Sequence, residues 1–569
     1  MWLSKNRLNN HDASVLVMDK AMNMGKSSAT GSFQMLLGVV ASTVILAVGT
    51  IVLGFLLTRN ELGLYGVALI PSGIINYFRD WGVNSAMTKQ IASLRAAGGK
   101  EDKIHDVIVS GTVFEIVSGA VLSAICFAVS GLLASYLKMP DASLLIAVMS
   151  LSIFAGAVIS AAGNIFVGFE KLGYNSVTLT LQAIAKTAIG PLLVVFGFGA
   201  LGAVIGASVS TLVGAIAGIS IVYFVLFRSL GKSGRCDIRK TLKPMLSFGV
   251  PLTVSNIVIG VSPLLFAFLM APIAGTSVMG DYYAGSYFTV LLTFFTIPIS
   301  TALFPAFAKV DVQNEPELLK TVFASSVKYT SILVVPATMM IMALSGPMVK
   351  TLWLGKFPNA PLFLSLIVII NLYVVFGSLS LGALLSGIGE TGKLMLQALL
   401  SLTFSAPLFI ILIAFSGSLT PMTGALIGIV GILLCSLPGT IWGLIWIWHR
   451  YKVKADFSVS IRIFVSSGIA ALASYFTASA VQSNISGFGF SMRMSSVGSL
   501  LLGFVVFLVA FLGLAPAVGA VNQVDLNNLR SMFKNTGLVS RILEIPLGFM
   551  EKALKIHPGK KPQEVERKN

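Results

Sequence analysis

The chain has 569 residues, 56% of them hydrophobic and 11% charged, with a mean hydropathy of +0.90. Soluble domains carry about 25% charged residues, so this composition excludes a string of soluble domains and describes an integral membrane protein. The formal net charge of +17 would suggest nucleic acid for a soluble chain, but in a membrane protein its meaning depends on which side the basic residues occupy.

Fourteen apolar segments are predicted, at 32–57, 63–84, 107–133, 142–168, 177–197, 200–227, 246–272, 279–306, 328–349, 361–387, 394–416, 422–448, 463–481 and 496–519. About 20 apolar residues, at 1.5 Å each, cross roughly 30 Å of hydrocarbon. The expected fold class is all-α and polytopic. The stretch from Glu61 to Arg95 organises the rest. It opens on Gly63-Leu64-Tyr65-Gly66, runs apolar, leaves through Arg79-Asp80-Trp81-Gly82 and continues as a basic amphipathic piece. The connections are short and carry Gly, Pro, Asn or charge, as tight helix–helix turns do. No signal peptide is expected, because about 30 polar residues precede the first apolar run.

Assigning the connections alternately to two sides puts 31 of the 39 Lys and Arg on the side of the N-terminus. The other side holds five, Arg59, Lys138, Lys350, Lys356 and Arg493, and Arg79, Lys186 and Lys328 lie within segments. The positive-inside rule then predicts both termini in the cytoplasm and makes the basic excess topological, with no nucleic acid as partner. Cys126, Cys236 and Cys435 have no CxxC spacing, and His11, His105, His449 and His557 are scattered. Neither a disulfide framework nor a metal site is indicated.

The chain also repeats itself. Gly63-Leu64-Tyr65 recurs as Gly280-Asp281-Tyr282, Lys138 to Ala142 as Lys356 to Ala360, Gly168 to Gly173 as Gly387 to Gly392, and Gly202-Ala203 as Gly424-Ala425. The offset drifts slowly from 217 to 222. A unit of six helices is even, so the copies share one orientation, an architecture of transporters with the substrate site between the halves. Accidental matching of Gly and Pro at turns is the competing account. The expected organisation is an N-terminal tail at 1–30, an N-lobe of six helices at 31–228, a C-lobe of six at 229–450, two extra helices within 451–521 and a tail at 522–569.

With these residues in view, the chain resembles polysaccharide and oligosaccharide flippases of the multidrug, oligosaccharidyl-lipid and polysaccharide exporter superfamily. The residues that carry the resemblance are Leu56-Leu57-Thr58-Arg59, Leu62 to Gly66, Asp80-Trp81-Gly82-Val83 with Ala86, Gly168-Phe169-Glu170-Lys171, Phe304 to Phe307, and Leu354 to Phe357. The resemblance implies transport of a lipid-(pyro)phosphate-linked oligosaccharide across the cell membrane by alternating access between two lobes. It implies membrane lipids and glycan-assembly enzymes as partners, and a multi-pass monomer in the plasma membrane. The 40-odd polar residues after Asn522 are longer than the family leads one to expect.

Ionisable groups inside apolar segments cost about 2.5–3.5 kcal/mol each at a helix centre and tend to face a cavity. Lys186 is expected to offer positive charge to a pyrophosphate or sugar acid. Glu115 is expected to balance it or to bind a coupling cation, Na+ or H+; a buried pair that only orients two helices is the alternative. Arg79 is a candidate phosphate contact at the cytoplasmic mouth, with neighbouring Asp80 read as a cap or link to the basic loop. Lys328 carries the same two readings, and Asp281 is read as solvated rim or as an outer gate against Lys350 or Lys356. Asn76, Asn164, Gln182, Asn256, Asn371 and Gln397 serve either as sugar contacts or as interhelical glue. Pro251, Pro298 and Pro336 are candidate hinges. The stretch from Val524 to His557 suits a helix lying on an anionic leaflet, through Leu526, Leu529, Met532 and Phe533 with Arg530, Lys534 and Arg541, and a mobile solvated tail is the alternative. Asn484-Ile485-Ser486 fits an N-glycosylation pattern in an expected outer loop.

Two other functions compete with this one. A cation-coupled multidrug exporter of the same superfamily would want a compact carboxylate site in an apolar pocket. A membrane-embedded glycan polymerase or ligase would want catalytic groups in a sizeable outer loop, which the short connections do not provide. No GxxxxGK[ST] pattern is present, so the expectation is a transporter without a built-in ATPase and not an enzyme.

Overall fold

The structure, a computed structural model, describes residues 38–96, 101–230, 237–415, 417–455, 457–487, 492–533 and 538–556. Among these residues there is helix and no strand, as expected for backbone that must satisfy its own hydrogen bonds in lipid. In chain order the helices are α1 (Gly38–Leu56), α2 (Arg59–Tyr77), α3 (Val83–Ala96), α4 (Glu101–Tyr136), α5 (Ala142–Gly168) and α6 (Leu172–Leu193). They continue as α7 (Gly199–Ile221), α8 (Ile238–Tyr287, broken at Gly275), α9 (Val290–Ala308), α10 (Pro316–Trp353), α11 (Ala360–Val368) and α12 (Ser378–Gly387). The last six are α13 (Thr391–Ala414), α14 (Pro421–Tyr451), α15 (Phe457–Gly487), α16 (Met492–Ala517), α17 (Gln523–Phe533) and α18 (Leu538–Ile556).

Ten helices among the described residues are long and apolar enough to cross a membrane, or eleven if the bent stretch from Ala360 to Gly387 is one span. The sequence led us to expect fourteen segments. The Leu172–Ser229 run holds two of these, because Gly197 and Gly199 break it with φ of 91° and 50°. The two arms fold back on each other: Gly190 faces Gly206, Gln182 faces Gly214 and Thr178 faces Gly218.

Contacts gather the chain into two compact units. One takes residues up to Leu57 together with Leu64–Phe268. Small residues let its helices approach, as they do where lipid removes the hydrophobic drive between spans. Gly38 meets Ser176 and Gly49 meets Thr187, whose hydroxyl donates to the Ile45 carbonyl (2.9 Å), so α1 runs parallel to α6. The Ser123 hydroxyl donates to the Ser150 carbonyl (2.8 Å), tying α4 to α5. Val83, Met87, Ile91, Ile108, Phe166, Val222 and Met245 form a buried core. The first part of α8 runs antiparallel to α2, with Leu264 on Gly73, Tyr77 on Gly260 and the backbones of Gly82 and Gly249 in contact.

The second unit takes Thr58–Gly63 and the chain from Leu269 onward. Its central element is α10, which packs against α15 and α16 through Ile332, Val335, Met339, Ile463, Phe507 and Phe511. Leu526 of α17 and Leu547 and Met550 of α18 close the same core. Here the repeated glycines meet: a side chain on Gly63 would strike the backbone of Thr276 and Gly280, and one on Gly280 would strike the carbonyl of Arg59. Only glycine allows so close a backbone approach.

Three expectations are corrected. The second segment is not 63–84. It starts at Arg59, because Thr58 and Glu61 form a reciprocal cap (Thr58 N to Glu61 Oε2 2.8 Å; Glu61 N to Thr58 Oγ1 3.3 Å), and it stops at Tyr77. Asn484 lies within helix α15 and not in a loop. The tail contains two helices, and both α17 and α18 pack on the bundle. The expected roles of Leu529, Met532, Phe533, Lys534 and Arg541, the side chains of Pro251 and Pro298, and the tail at 1–30 fall outside the described residues.

Candidate functional site

The site is built at the break between α2 and α3, inside the first unit. After Tyr77 the chain turns through Phe78, Arg79 and Asp80, then passes Trp81 and Gly82 at φ of 48° and 75° before α3 starts at Val83. Asp80 caps the new helix by accepting from the backbone N–H of Asn84 (2.9 Å), the role read for it in the sequence. The turn aims Arg79 inward, where its side chain is 7% exposed.

Every nitrogen of the Arg79 guanidinium is engaged. Nε donates to Glu115 Oε2 (3.1 Å), Nη1 to Asn76 Oδ1 (2.6 Å) and Nη2 to the Ser160 hydroxyl oxygen (3.0 Å). Glu115 has no solvent exposure, and its Oε1 accepts from Asn84 Nδ2 (3.1 Å). Gly156 supplies the room, since a Cβ there would sit 3.1 Å from Arg79 Nη1. Asp80 is close enough to Glu115 to repel it, and Asn84 Oδ1 is buried without a hydrogen-bond partner. The cluster thus joins one guanidinium, two carboxylates and an unsatisfied amide oxygen. Asn164 continues the polar run, its side chain donating to the Ser160 carbonyl (2.9 Å) and its oxygens receiving the Thr88 hydroxyl.

The expected pairing of Glu115 with Lys186 is corrected: Glu115 binds Arg79. Lys186 stands half-buried on α6 with no ion pair or hydrogen bond among the described residues. Gln182, one turn earlier, reaches Thr211 on α7 at 3.5 Å. Asn256 is exposed on α8, between Gly249, which meets Gly82, and Gly260, which meets Tyr77. Asn371 bonds within its own segment, to the Val368 carbonyl, and Gln397 Oε1 is buried without a partner.

Asp281 is neither rim nor partner to Lys350 or Lys356. Its side chain is fully buried and takes a two-point ion pair from Arg59, Nε to Oδ1 at 2.8 Å and Nη2 to Oδ2 at 2.6 Å. Asn359 adds its backbone N–H (3.2 Å) and its Nδ2 (2.8 Å) to Oδ2. Lys328 pairs with Asp525 of α17 at 2.6 Å. Sequence reasoning missed Arg59, Asn84, Ser160, Asn359 and Asp525. Only Arg59 had a local signal, the Thr58–Glu61 cap that puts it in the first turn of a helix. Among the described residues no group of three His, Cys, Asp or Glu suits a metal ion.

A long helical bundle with buried charges and no strand among the described residues defines a multi-pass membrane protein. Residues 28–311 match the polysaccharide biosynthesis protein family. The structure is similar to the lipid II flippase MurJ in an inward closed conformation (16% identity, 84% of this chain and 97% of that one, TM-score 0.61). It is also similar to an inward-facing multidrug resistance transporter of the MATE family (18% identity, 72% and 95%, TM-score 0.59). A third likeness is to a MOP superfamily transporter from Pyrococcus furiosus (18% identity, 75% and 96%, TM-score 0.52). No curated protein sequence matches the chain. The family match places residues 28–311 with polysaccharide biosynthesis proteins, and the likenesses show a fold shared with transporters of the MOP superfamily.

Proposed function

We propose that this transporter is a flippase for a lipid-(pyro)phosphate-linked oligosaccharide, carrying it across the plasma membrane by alternating access for surface polysaccharide or glycoprotein assembly. The observation that carries the reading is Arg79, a buried guanidinium whose partners are one carboxylate, one amide oxygen and one hydroxyl. A guanidinium fork binds phosphate in the geometry in which it binds carboxylate, so a substrate phosphate can take the place of Glu115. Lys186, without a protein partner among the described residues, supplies a second positive charge, and Asn76 and Gln182 supply hydrogen bonds for sugar hydroxyls. The likeness to a lipid II flippase supports the choice of a lipid-linked glycan.

Glu115, Asp80 and the unpartnered Asn84 Oδ1 form an oxygen set suited to a coupling Na+ or H+ once Arg79 turns to substrate. The Arg59–Asp281–Asn359 cluster is the outer gate that must part before release. Both termini face the cytoplasm, where α18 buries Leu547 and Met550 and leaves Ile545 and Phe549 exposed to an anionic leaflet. The protein works as a monomer, beside the glycan-assembly enzymes that make its cargo.

The test is leaflet-specific detection of lipid-linked glycan in cells lacking the chain, complemented by wild type or by Arg79→Ala. The reading requires cargo to accumulate on the cytoplasmic leaflet in the null and in the Arg79→Ala cells. Normal delivery to the outer leaflet without the chain would end it. The acidic set and the MATE likeness favour one second reading, a cation-coupled drug exporter. That reading gains if the null cells become drug-sensitive while their glycan stays correctly distributed.

A further inference from the structure

A second hollow lies in the other unit, apart from the Arg79 cluster. It has a volume of about 490 Å³ and opens between the last turns of α10, the start of α11 and the last third of α15. Its floor is a pair of hydroxyls: Ser365 on α11 bonds Ser345 on α10 at 3.0 Å and the Pro361 carbonyl at 2.9 Å. Lys350, Tyr475, Ser479 and Gln482 line the walls. Among the described residues, none of these four side chains has a hydrogen bond or ion pair within the protein. One cation and three neutral polar groups therefore converge on a cavity of ligand size with their bonding capacity unused.

Position along α10 sets the depth. Lys328, which binds Asp525, precedes Lys350 by 22 residues on the same helix, so the two lie about 33 Å apart, close to one hydrocarbon thickness. Lys350 therefore sits at the interface opposite to α17. Of its lining side chains, Leu362 and Tyr475 are 45% and 54% exposed. An opening bordered by exposed apolar side chains faces acyl chains, whereas a site for a free anion would face water. Basic pockets between spans recognise the phosphate of an anionic headgroup.

We propose that the cavity between α10, α11 and α15 binds a lipid phosphate, with Lys350 on the phosphate, Ser479 and Gln482 on its substituent, and the chain lying over Leu362 and Tyr475. The proposal does not depend on which cargo the protein moves. A bilayer phospholipid and a polyprenyl phosphate present the same chemistry here, and the experiment separates them.

The full-length chain, purified in detergent and delipidated, is offered phosphatidylglycerol, polyprenyl monophosphate or phosphatidylcholine, and retained lipid is counted by native mass spectrometry. One molecule of an anionic lipid should be retained, and Lys350→Gln should weaken it about tenfold, the loss of one charge-assisted hydrogen bond. Preference for phosphatidylglycerol assigns the site to bilayer lipid, and preference for the polyprenyl phosphate assigns it to a glycan carrier; each supports a lipid-phosphate site. Equal retention by wild type and Lys350→Gln, or equal retention of phosphatidylcholine, overturns it. If Lys350→Gln does not elute as a single species, Gln482→Leu is read the same way. Failure here leaves the Arg79 reading intact, because glycan delivery is scored separately in cells.

Discussion

Arg59 and Asp281 stand 222 residues apart and share a two-point ion pair in which the carboxylate is wholly buried and the guanidinium one-third exposed. Beside them the repeated glycines Gly63 and Gly280 touch backbone to backbone. The pair therefore fastens the first turn of α2 to the second part of α8 inside the second unit.

The two halves of this pair should not be equivalent. Arg59→Gln strands a buried carboxylate that keeps only the Asn359 donors, whereas Asp281→Asn releases a guanidinium that already reaches solvent. Removing one partner of a buried pair costs about 3–5 kcal/mol when the remaining charge cannot escape. We expect Arg59→Gln to lower the melting temperature in detergent clearly more than Asp281→Asn does. Equal shifts, or a larger one for Asp281→Asn, would show that Asp281 is not held as described.

Arg79 invites a substitution that keeps charge and removes the fork. Lysine carries the positive charge but cannot reach Glu115, Asn76 and Ser160 together from one plane. Arg79→Lys should therefore fold and still lose most transport, by about tenfold or more, with Arg79→Ala less stable because Glu115 stays buried and unpaired. Glu115→Gln, which keeps the shape, should change the dependence of transport on cation gradients. Unaltered gradient dependence would reduce Glu115 to an orienting role.

How much of this was readable beforehand follows from what each feature depends on. Helix type came from runs of apolar residues, a local property, while ten or eleven candidate spans stand against the fourteen segments expected, and the bond from Asn84 N–H to Asp80 is local too. Partner choice was not readable. Arg79 and Glu115 are 36 residues apart, and nothing in sequence separates Arg79 from Lys186 as the counterion. What decided it was that Arg79 follows the last turn of α2, its N–H on the Asn76 carbonyl, beside Glu115 of α4 and with room left by Gly156. Asp281 was misread for a related reason: as a charge at a helix end it suggested exposure, and its cover comes from Arg59 and from Asn359, 78 residues on.

The C-terminal pair of helices should respond to acid. Arg530 binds Glu544 (2.8 Å) and Glu551 (2.7 Å), and its hydrogen bonds hold the Glu551 carboxyl below its ordinary value of 4.5. A group depressed in the folded state contributes above its unfolded pKa, and that contribution is lost as pH falls through the folded value. Packing of α18 on α17 should therefore be constant from pH 5 to 8 and loosen below about pH 4.5, and Glu551→Gln should behave at pH 7 like wild type in acid. Hydrogen exchange across 523–556 reads this directly. Exchange independent of pH over that range, after correction for intrinsic rates, would refute it.

Asp525 joins two tasks that one substitution can separate. It reciprocates with Asn522 to start α17 (2.8 and 2.9 Å) and pairs with Lys328 of α10, while its own exposure is only 3%. Asp525→Asn retains a capping oxygen but loses the charge, so it should loosen α17 from α10 without melting the bundle. The cost is that of a half-shielded pair, on the order of 1–3 kcal/mol, because Lys328 keeps some access to water. Truncation after Asn522 is more severe, because it also strips Leu526, Leu547 and Met550 from the core over Phe511 and Ile463. We expect the truncated chain to melt earlier and to expose an apolar face that binds extra detergent, with Asp525→Asn intermediate between it and wild type. A truncated chain that melts with wild type and exports glycan normally would mean that α17 and α18 are accessory, and would remove Lys328 from the residues that matter.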